Sequence, residues 1–345
     1  MEIQEDSTSF QELLTHLAEV EKDPESTRLN ADLLREAQNS LGPNTPREAV
    51  WAIIANGERL LNVLHEDPKP LTRLLEKDVL LIPFDEIREA IPPLKLEQGL
   101  SSPSTSVRVL CLAYLRKAAE SPSGAAWVGT SPVLTKCLVS AWLASDSTEV
   151  AERALETIIL LLAVDHALQV TQVVEGGQVG EAQGQGLLWR RLFHDPEIYV
   201  LFFYWTSFKS YEYRDRSKNA VHKATISQAR LFDFLARAAE IDWAGISHSH
   251  FPEIESKYCE PSAIDGHGRA SLLQYAASGM VDMDDPLMVL LRRDFFTKLL
   301  ATVEERKQQS TLPRKLLEFI QKDVGDSKEL STTAAGVTYN GIGDI

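Results

Sequence analysis

Residues 99–121 read GLSSPSTSVRVLCLAYLRKAAES, and this stretch decides the fold class. It begins as a turn rich in serine and proline and continues into a segment whose apolar residues, from Val107 through Leu110 and Tyr114, recur three and four places apart. That spacing places them on one face of an α-helix. Serine and proline end the preceding helix, cap the free N–H groups of the next one and fix its first φ angle. The stretch therefore predicts a corner between two helices.

The same kind of turn recurs along the chain. Similar eight-residue segments start at Leu64, Leu100, Leu143, Phe193 and Met283, at intervals of 36, 43, 50 and 90 residues. The first three intervals bracket the length of HEAT and armadillo repeats, and the last has room for one degenerate unit centred on ISQARLFDFLARAAEIDW. The pattern predicts a HEAT/armadillo-like α-solenoid of helical hairpins. The alternative is that any helical hairpin tends to have a turn of this composition.

Helical spacing also dominates the remainder of the sequence, whereas alternating strand patterns are nearly absent. Ser9 is a candidate cap for the first helix, and Pro46 suits the first turn of the next one. The sequence therefore predicts an all-α fold. The predicted helices are 10–17, 46–64, Leu71–Leu81, Val107–Ala119, Pro132–Leu143, Glu149–Val164, Glu197–Phe208, Thr225–Glu240, Pro286–Arg306 and Leu312–Val324.

Three parts of the chain are distinguished by composition. Residues 1–48 are predicted to form an N-terminal helix and a polar linker that could act as a cap, and residues 49–324 the repeat solenoid. Flexible loops are expected near 175–186 and 210–224, and a disordered tail at 325–345, because these segments are polar and have no periodicity.

The charge distribution argues against a nucleic-acid-binding face. The net charge is −15, and residues 1–99 alone hold 20 acidic and 10 basic side chains. Such a surface repels phosphate backbones and attracts basic partners. No apolar run approaches the roughly 20 residues that cross a bilayer, and the acidic N-terminus resembles no targeting signal. Three cysteines form no disulfide framework, so we expect a cytosolic or nuclear protein without membrane contact.

No segment carries a convincing catalytic or metal-binding motif. The glycine-rich loop at 175–186 lacks the preceding strand and the Lys-Ser/Thr ending of a phosphate-binding loop. His248, His250, Cys259 and His267 lie close in sequence, but their spacing fits a polar loop better than a zinc site. Three glutamates at 149, 152 and 156 share a helical face with Arg153, which is typical of a solvated surface. We therefore expect no enzyme, no cofactor and no metal.

An unusually aromatic segment occupies residues 202–213. It contains Phe202, Phe203, Tyr204, Trp205, Phe208, Tyr211 and Tyr213. These side chains cover more than one helical stripe, so core packing and a protein interface both remain open. Base stacking is disfavoured because few cations are interleaved with the rings.

Several segments resemble a known family. DEIREAIPPLKLEQGLSSPSTSVRVLCLAYLRKAAES, GLLWRRLFHDPEIYVLFFYWTSFKS, QARLFDFLARAAEIDW and ASGMVDMDDPLMVLLRRDFFTKLL are similar to fungal proteins of the high-spontaneous-mutagenesis type, which carry a DNA mismatch repair label. That family corresponds to the animal proteasome non-ATPase regulatory subunit 5. The resemblance covers roughly residues 50–305 and includes no catalytic signature.

The resemblance implies a function as well as a fold. Family members are HEAT/armadillo-type solenoids that act as chaperones in assembling the base of the 19S regulatory particle of the 26S proteasome. They bind the C-terminal domain of an ATPase subunit and leave as the proteasome is completed. Relatives are longer, so we expect this chain to lack repeats after Val324 and part of the partner surface. The alternative is a scaffold linked to mismatch repair through protein contacts.

Residues for the partner surface follow from helical phase and aromatic character. Arg108, Arg116, Glu152 and Glu156 are predicted to point away from the buried stripes of their helices, and Tyr204 and Trp205 are the aromatic candidates. All six could also be ordinary surface positions.

Overall fold

Short polar side chains begin most of the helices, as the recurring turns predict. Ser104 Oγ accepts a hydrogen bond from the N–H of Val107 at 3.5 Å, and Ser147 Oγ accepts one from Val150 at 3.4 Å. Asp195 caps its helix in the same way. These bonds satisfy N–H groups that have no partner within the helix. The turns are therefore helix starts, and each is followed directly by an apolar stripe.

The computed structural model describes residues 2–166, 184–213, 215–259, 271–306 and 316–325. Every regular element in these ranges is helical, so the prediction of an all-α fold is confirmed. The helices form two compact units, residues 1–188 and 189–345.

The first unit contains ten complete helices among its described residues. They are α1 (Glu2–Lys22), α2 (Ala31–Ser40), α3 (Arg47–Leu61), α4 (Lys69–Leu81), α5 (Phe84–Ala90), α6 (Pro93–Leu100), α7 (Thr105–Ala118), α8 (Pro122–Thr130), α9 (Pro132–Leu143) and α10 (Thr148–Asp165).

The second unit begins within α11 (Leu187–Phe193). Its helices continue with α12 (Pro196–Thr206), α13 (Lys218–Ile241), α14 (Trp243–Ser247), α15 (Pro252–Tyr258), α16 (Leu272–Gln274), α17 (Pro286–Arg306) and α18 over 316–325. A short 3-10 turn covers Tyr211–Tyr213, and a π-helical turn over Tyr275–Gly279 extends α16.

Helices of the first unit pack in a serial order. α2 packs on α4, α4 on α7, and α7 on α10, so these four helices form one row. In addition, α1 packs on α3, and α6 on α9. The row buries a continuous set of leucines that includes Leu74, Leu75, Leu115 and Leu161. Each helix thus buries its apolar stripe against its neighbours in the row.

Polar contacts in the first unit repeatedly join residues 34–39 positions apart. Lys117 Nζ on α7 donates to the carbonyl of Leu80 on α4, which is 37 positions earlier. Arg108, at the start of α7, donates to Ser145 just before α10, which is 37 positions later. The same offset of 37 positions thus links α4 to α7 and the start of α7 to the start of α10.

Close packing is reinforced where α8 meets the end of α7. A Cβ atom added at Gly124 would collide with the backbone carbonyl oxygen of Ala118. Glycine at this position therefore lets the first turn of α8 approach the backbone of α7, and Ser121 caps the turn by accepting from the N–H of Gly124 at 3.1 Å.

The second unit is built around α13, which packs on α12, α14 and α17. Its core is aromatic. Phe193, Phe202 and Phe234 stack on one another with ring centroids 5.9–6.4 Å apart. Phe203 extends this cluster to Tyr275 at 4.8 Å. Much of the aromatic segment at 202–213 therefore serves as core, the first of its two predicted roles.

Three sequence-based expectations differ from the structure. Ser9 lies inside α1, which begins at Glu2, so Ser9 is not its cap. Residues 218–224 form the first two turns of α13 and are not a loop, because Ser217 caps the helix by accepting from Ala220 N–H at 3.2 Å. The expected boundary at residue 48 lies within the first unit, where α1 and α2 pack on α3 and α4.

Two other expected segments fall largely outside the described residues. They are most of the glycine-rich loop at 175–186 and residues 326–345 of the expected tail. The predicted helix Leu312–Val324 overlaps α18, whose described part begins at residue 316.

Candidate functional site

A groove crosses the face of the first unit that α4, α7 and α10 share. Its volume is about 610 Å³. The floor is largely apolar, with Leu80, Leu112 and Leu160 contributing from the three helices in turn, and alanines of α7 between them. Charged side chains of the same helices form the rim. A groove of this composition is suited to holding apolar side chains of another molecule between polar edges.

An ion pair spans the groove from one outer helix to the other. Arg153 Nη1 on α10 lies 2.8 Å from Glu76 Oε2 on α4, and α7 lies between these helices. Neighbouring helices pack with their axes about 8–10 Å apart, so α4 and α10 would stand about twice that distance apart in a flat row. The two long side chains therefore meet over α7 and bridge the groove.

Most of the charged rim is neutralised by contacts within the unit. Arg153 also binds Glu149 at 3.2 Å, and the ammonium group of Lys117 binds Glu120 as well as the carbonyl of Leu80. These pairs hold the long side chains in place along the edges. They leave few charged groups of the groove available to a partner.

Arg116 and Glu152 are the exceptions. Both side chains are exposed and line the groove, Arg116 from the central helix α7 and Glu152 from α10. Neither makes an ion pair or hydrogen bond with any residue that the structure describes. Leu80 beside them is 63% exposed, although it is a large apolar side chain on the groove floor. One cation, one anion and one apolar side chain are thus presented together to solvent.

The groove unites three of the six residues predicted for partner binding. Arg116, Glu152 and Glu156 all line it. Arg108 does not; it is half-buried at the start of α7, where its Nη1 lies 3.4 Å from Ser145 Oγ. Its position makes Arg108 a contact between successive helix starts.

The aromatic candidates lie in the second unit. Tyr204 and Trp205 are half-buried and meet edge to face, with ring centroids 4.8 Å apart. The Tyr204 hydroxyl reaches Glu212 at 3.5 Å, and the carbonyl of Trp205 accepts from the Tyr213 hydroxyl at 3.0 Å. These contacts fasten the end of α12 to the 3-10 turn that follows it.

His248 and His250, the close pair of the candidate zinc segment, contact backbone carbonyl groups. Ring nitrogens of His248 and His250 lie 2.8 Å and 2.7 Å from the carbonyl oxygens of Ala244 and Gly245. Burial and the nearby Glu255 raise the pKa of the Cys259 thiol to about 12, which disfavours the thiolate that a metal would need. His267 lies outside the described residues. Within the described ranges, no three His, Cys, Asp or Glu side chains converge as metal ligands would.

Two buried carboxyl groups are placed very differently. Glu255 in the second unit accepts from the Tyr199 hydroxyl at 2.8 Å, from the backbone N–H of His250 at 3.1 Å and from the Ser249 hydroxyl. Burial and the neighbouring Glu255 raise the pKa of Tyr199, which keeps this hydroxyl a donor. Glu255 therefore joins α12 to the segment before α15.

Asp78 of α4, in contrast, is fully buried and neither carboxylate oxygen has a hydrogen-bond partner. Burial raises the pKa of Asp78 to about 8, against an opposing effect of Lys77. This group is not among the residues predicted from sequence. The sequence pattern nevertheless indicates that Asp78 is buried. Asp78 follows Leu71, Leu74 and Leu75 at helical spacing, so it continues the buried stripe of α4.

Comparison with known proteins identifies neither a family nor a function for the chain. No family model matches the chain, and no curated protein is significantly similar to it. Within the described residues, no helix combines the length and apolar character needed to cross a membrane.

Proposed function

We propose that this chain is a non-catalytic protein-binding molecule and that the groove across α4, α7 and α10 is its binding surface. The observation that carries the proposal is the groove with an exposed leucine and two charges, Arg116 and Glu152, that have no partner among the described residues. An apolar floor between charged edges has the composition of a protein-binding surface, whose core is apolar and whose rim is polar.

We further propose that the first unit is built from HEAT/armadillo-like repeats. The serial packing of α2, α4, α7 and α10 and the nearly constant contact offset of 34–39 residues support this interpretation. In a solenoid each repeat contacts only its neighbours, and second helices of successive repeats line a concave surface. We assign the groove to such a surface.

The partner we propose is the C-terminal domain of an ATPase subunit of the proteasome, bound while the base of the 19S regulatory particle assembles in the cytosol or nucleus. Support comes from the family resemblance of residues 50–305 together with a face suited to holding a small folded domain. Binding occurs without chemistry. While the domain is held, it is prevented from docking prematurely onto the proteolytic core.

Native affinity purification of the full chain with mass spectrometry tests this proposal. We expect recovery of base ATPase subunits, which are released when mature core particle is added. A variant with Leu80→Ser and Arg116→Glu should lose these subunits, because both changes fall in the groove. Arg28→Glu is the matched control, since Arg28 is an exposed arginine of the first unit outside the groove.

Two results would contradict the proposal. Equal recovery of ATPase subunits with the groove variant and the control would remove the groove as the binding surface. Recovery of several repair factors without any proteasomal ATPase would instead favour the scaffold linked to mismatch repair.

A further inference from the structure

Arg116 occupies the centre of the groove without a partner among the described residues. The other two cations of the rim form ion pairs within the unit. Arg153 pairs with Glu76 and Glu149, and Lys117 pairs with Glu120. An exposed guanidinium beside an apolar floor presents a fork of donors that matches a carboxylate. The central helix therefore offers a site for one acidic side chain.

Glu152 offers the opposite charge on the adjacent helix. It is exposed, lines the same groove and has no partner among the described residues. The anion on α10 and the cation on α7 therefore lie on neighbouring helices that pack against each other. Leu80 on α4 lies on the far side of Arg116 and is 63% exposed.

From this arrangement we infer that the groove recognises a protein segment of mixed charge and apolar character. Its acidic side chain faces Arg116, a basic side chain faces Glu152 on the neighbouring helix, and an apolar side chain covers Leu80. Charge complementarity fixes the direction in which the segment lies, because reversing it would place like charges together. The inference rests on the protein-binding role proposed for the groove and defines the chemistry of its partner.

This recognition pattern is also compatible with the strongly acidic composition of the chain. A net charge of −15 favours the approach of basic partners in general. A carboxylate can nevertheless bind at Arg116, since short-range, bidentate contacts depend on local geometry. The acidic surface then selects for a segment in which one acidic residue is accompanied by basic ones.

A phage-displayed library of short random peptides, selected on the immobilised full-length protein, tests the inference. Wild-type protein should enrich peptides with an acidic residue, an apolar residue and a basic residue in a recurring order. Selection on Arg116→Glu should replace the acidic residue with Lys or Arg, and selection on Glu152→Arg should replace the basic residue with Asp or Glu. Arg28→Glu should enrich the wild-type pattern.

Affinities of a synthetic wild-type-selected peptide provide the second readout. We expect Arg116→Glu to weaken its binding about tenfold or more, and an acidic-to-lysine peptide to recover affinity for that variant. Circular dichroism of each variant checks that the helices remain. Absence of an enriched charge pattern, or equal weakening by Arg116→Glu and Arg28→Glu, would overturn the inference.

Failure of this inference is distinguishable from failure of the proposed function. If ATPase subunits co-purify through the groove but no charge pattern is selected, the recognition rule is wrong and the proposed function stands. If the charge pattern is selected and inverts as expected but no ATPase subunit is recovered, the rule holds and the partner is a different protein.

Discussion

Replacing Asp78 with asparagine should stabilise the first unit at neutral pH. The Asp78 carboxyl is fully buried and has no hydrogen-bond partner, so its charged form is disfavoured and its pKa rises from 3.8 to about 8. Asparagine has nearly the same shape and never ionises. It therefore keeps the packing of α4 and removes the cost of holding a carboxyl group protonated.

The sign and size of the effect follow from proton linkage. The folded state binds the Asp78 proton more tightly than the unfolded state, so the stability contributed by the protonated group is complete below about pH 4. It is lost progressively as pH rises to about 8 and changes no further above that. At pH 7, the pKa difference corresponds to about 4 kcal/mol. Asp78→Asn should thus be about as stable as wild type at pH 4 and about 4 kcal/mol more stable at pH 7.

Urea denaturation followed by circular dichroism between pH 4 and pH 9 measures this difference. Native-state hydrogen exchange of the peptide that covers α4 assigns it to the first unit. Glu89→Gln is the control, because Glu89 is an exposed carboxylate of the same unit with no hydrogen bond or ion pair to a described residue. Parallel pH profiles for wild type and Asp78→Asn, or stabilisation only at acidic pH, would refute the argument.

Three further predictions concern packing and ion pairs. Glu255→Ala should cost about 3 kcal/mol in urea denaturation, because it leaves one buried and two partly buried donors without their acceptor. Gly124→Ala should cost about 1–3 kcal/mol in the same assay, since the added methyl group collides with the carbonyl of Ala118. A double-mutant cycle of Glu76→Ala and Arg153→Ala should give a coupling energy of up to about 1 kcal/mol that falls with salt, because Arg153 is partly exposed.

Each of these has a specific counter-result. Glu253→Ala changes an exposed glutamate of α15, and an equal loss there would show that the buried contacts of Glu255 do not matter. Stabilisation by Gly124→Ala would mean that helix propensity outweighs the collision. A coupling energy of zero at low salt would mean that the pair across the groove contributes nothing to stability.

Much of the fold could be predicted from periodicity and turn chemistry. α9 and α17 have the predicted bounds, and Ser104 and Ser147 cap their helices as the turns require. Short helices such as α8 were missed because PSGAAWVGT has small residues and no apolar stripe. Tertiary contacts decide such segments; in α8 the approach to α7 depends on a single glycine.

The candidate site was only partly predictable for a geometric reason. Helical phase identifies Arg116 and Glu152 as residues that point away from the core, and both do line the groove. Helical phase alone does not predict which exposed helix faces lie next to each other in the fold. The pair between Glu76 and Arg153 joins residues 77 positions apart and depends on how α4 and α10 pack on either side of α7. Tyr204 had the right residue type for an interface, but it contacts its own neighbours in the second unit.

The nearly constant offset between contacting residues has a consequence for biosynthesis. A helix of the first unit meets its next partner in the row once about 40 more residues have been translated, because the contacts link positions 34–39 apart. The nascent chain can therefore consolidate pair by pair as it leaves the ribosome. The contact between Arg153 and Glu76 forms last, so the groove is completed only when α10 has emerged.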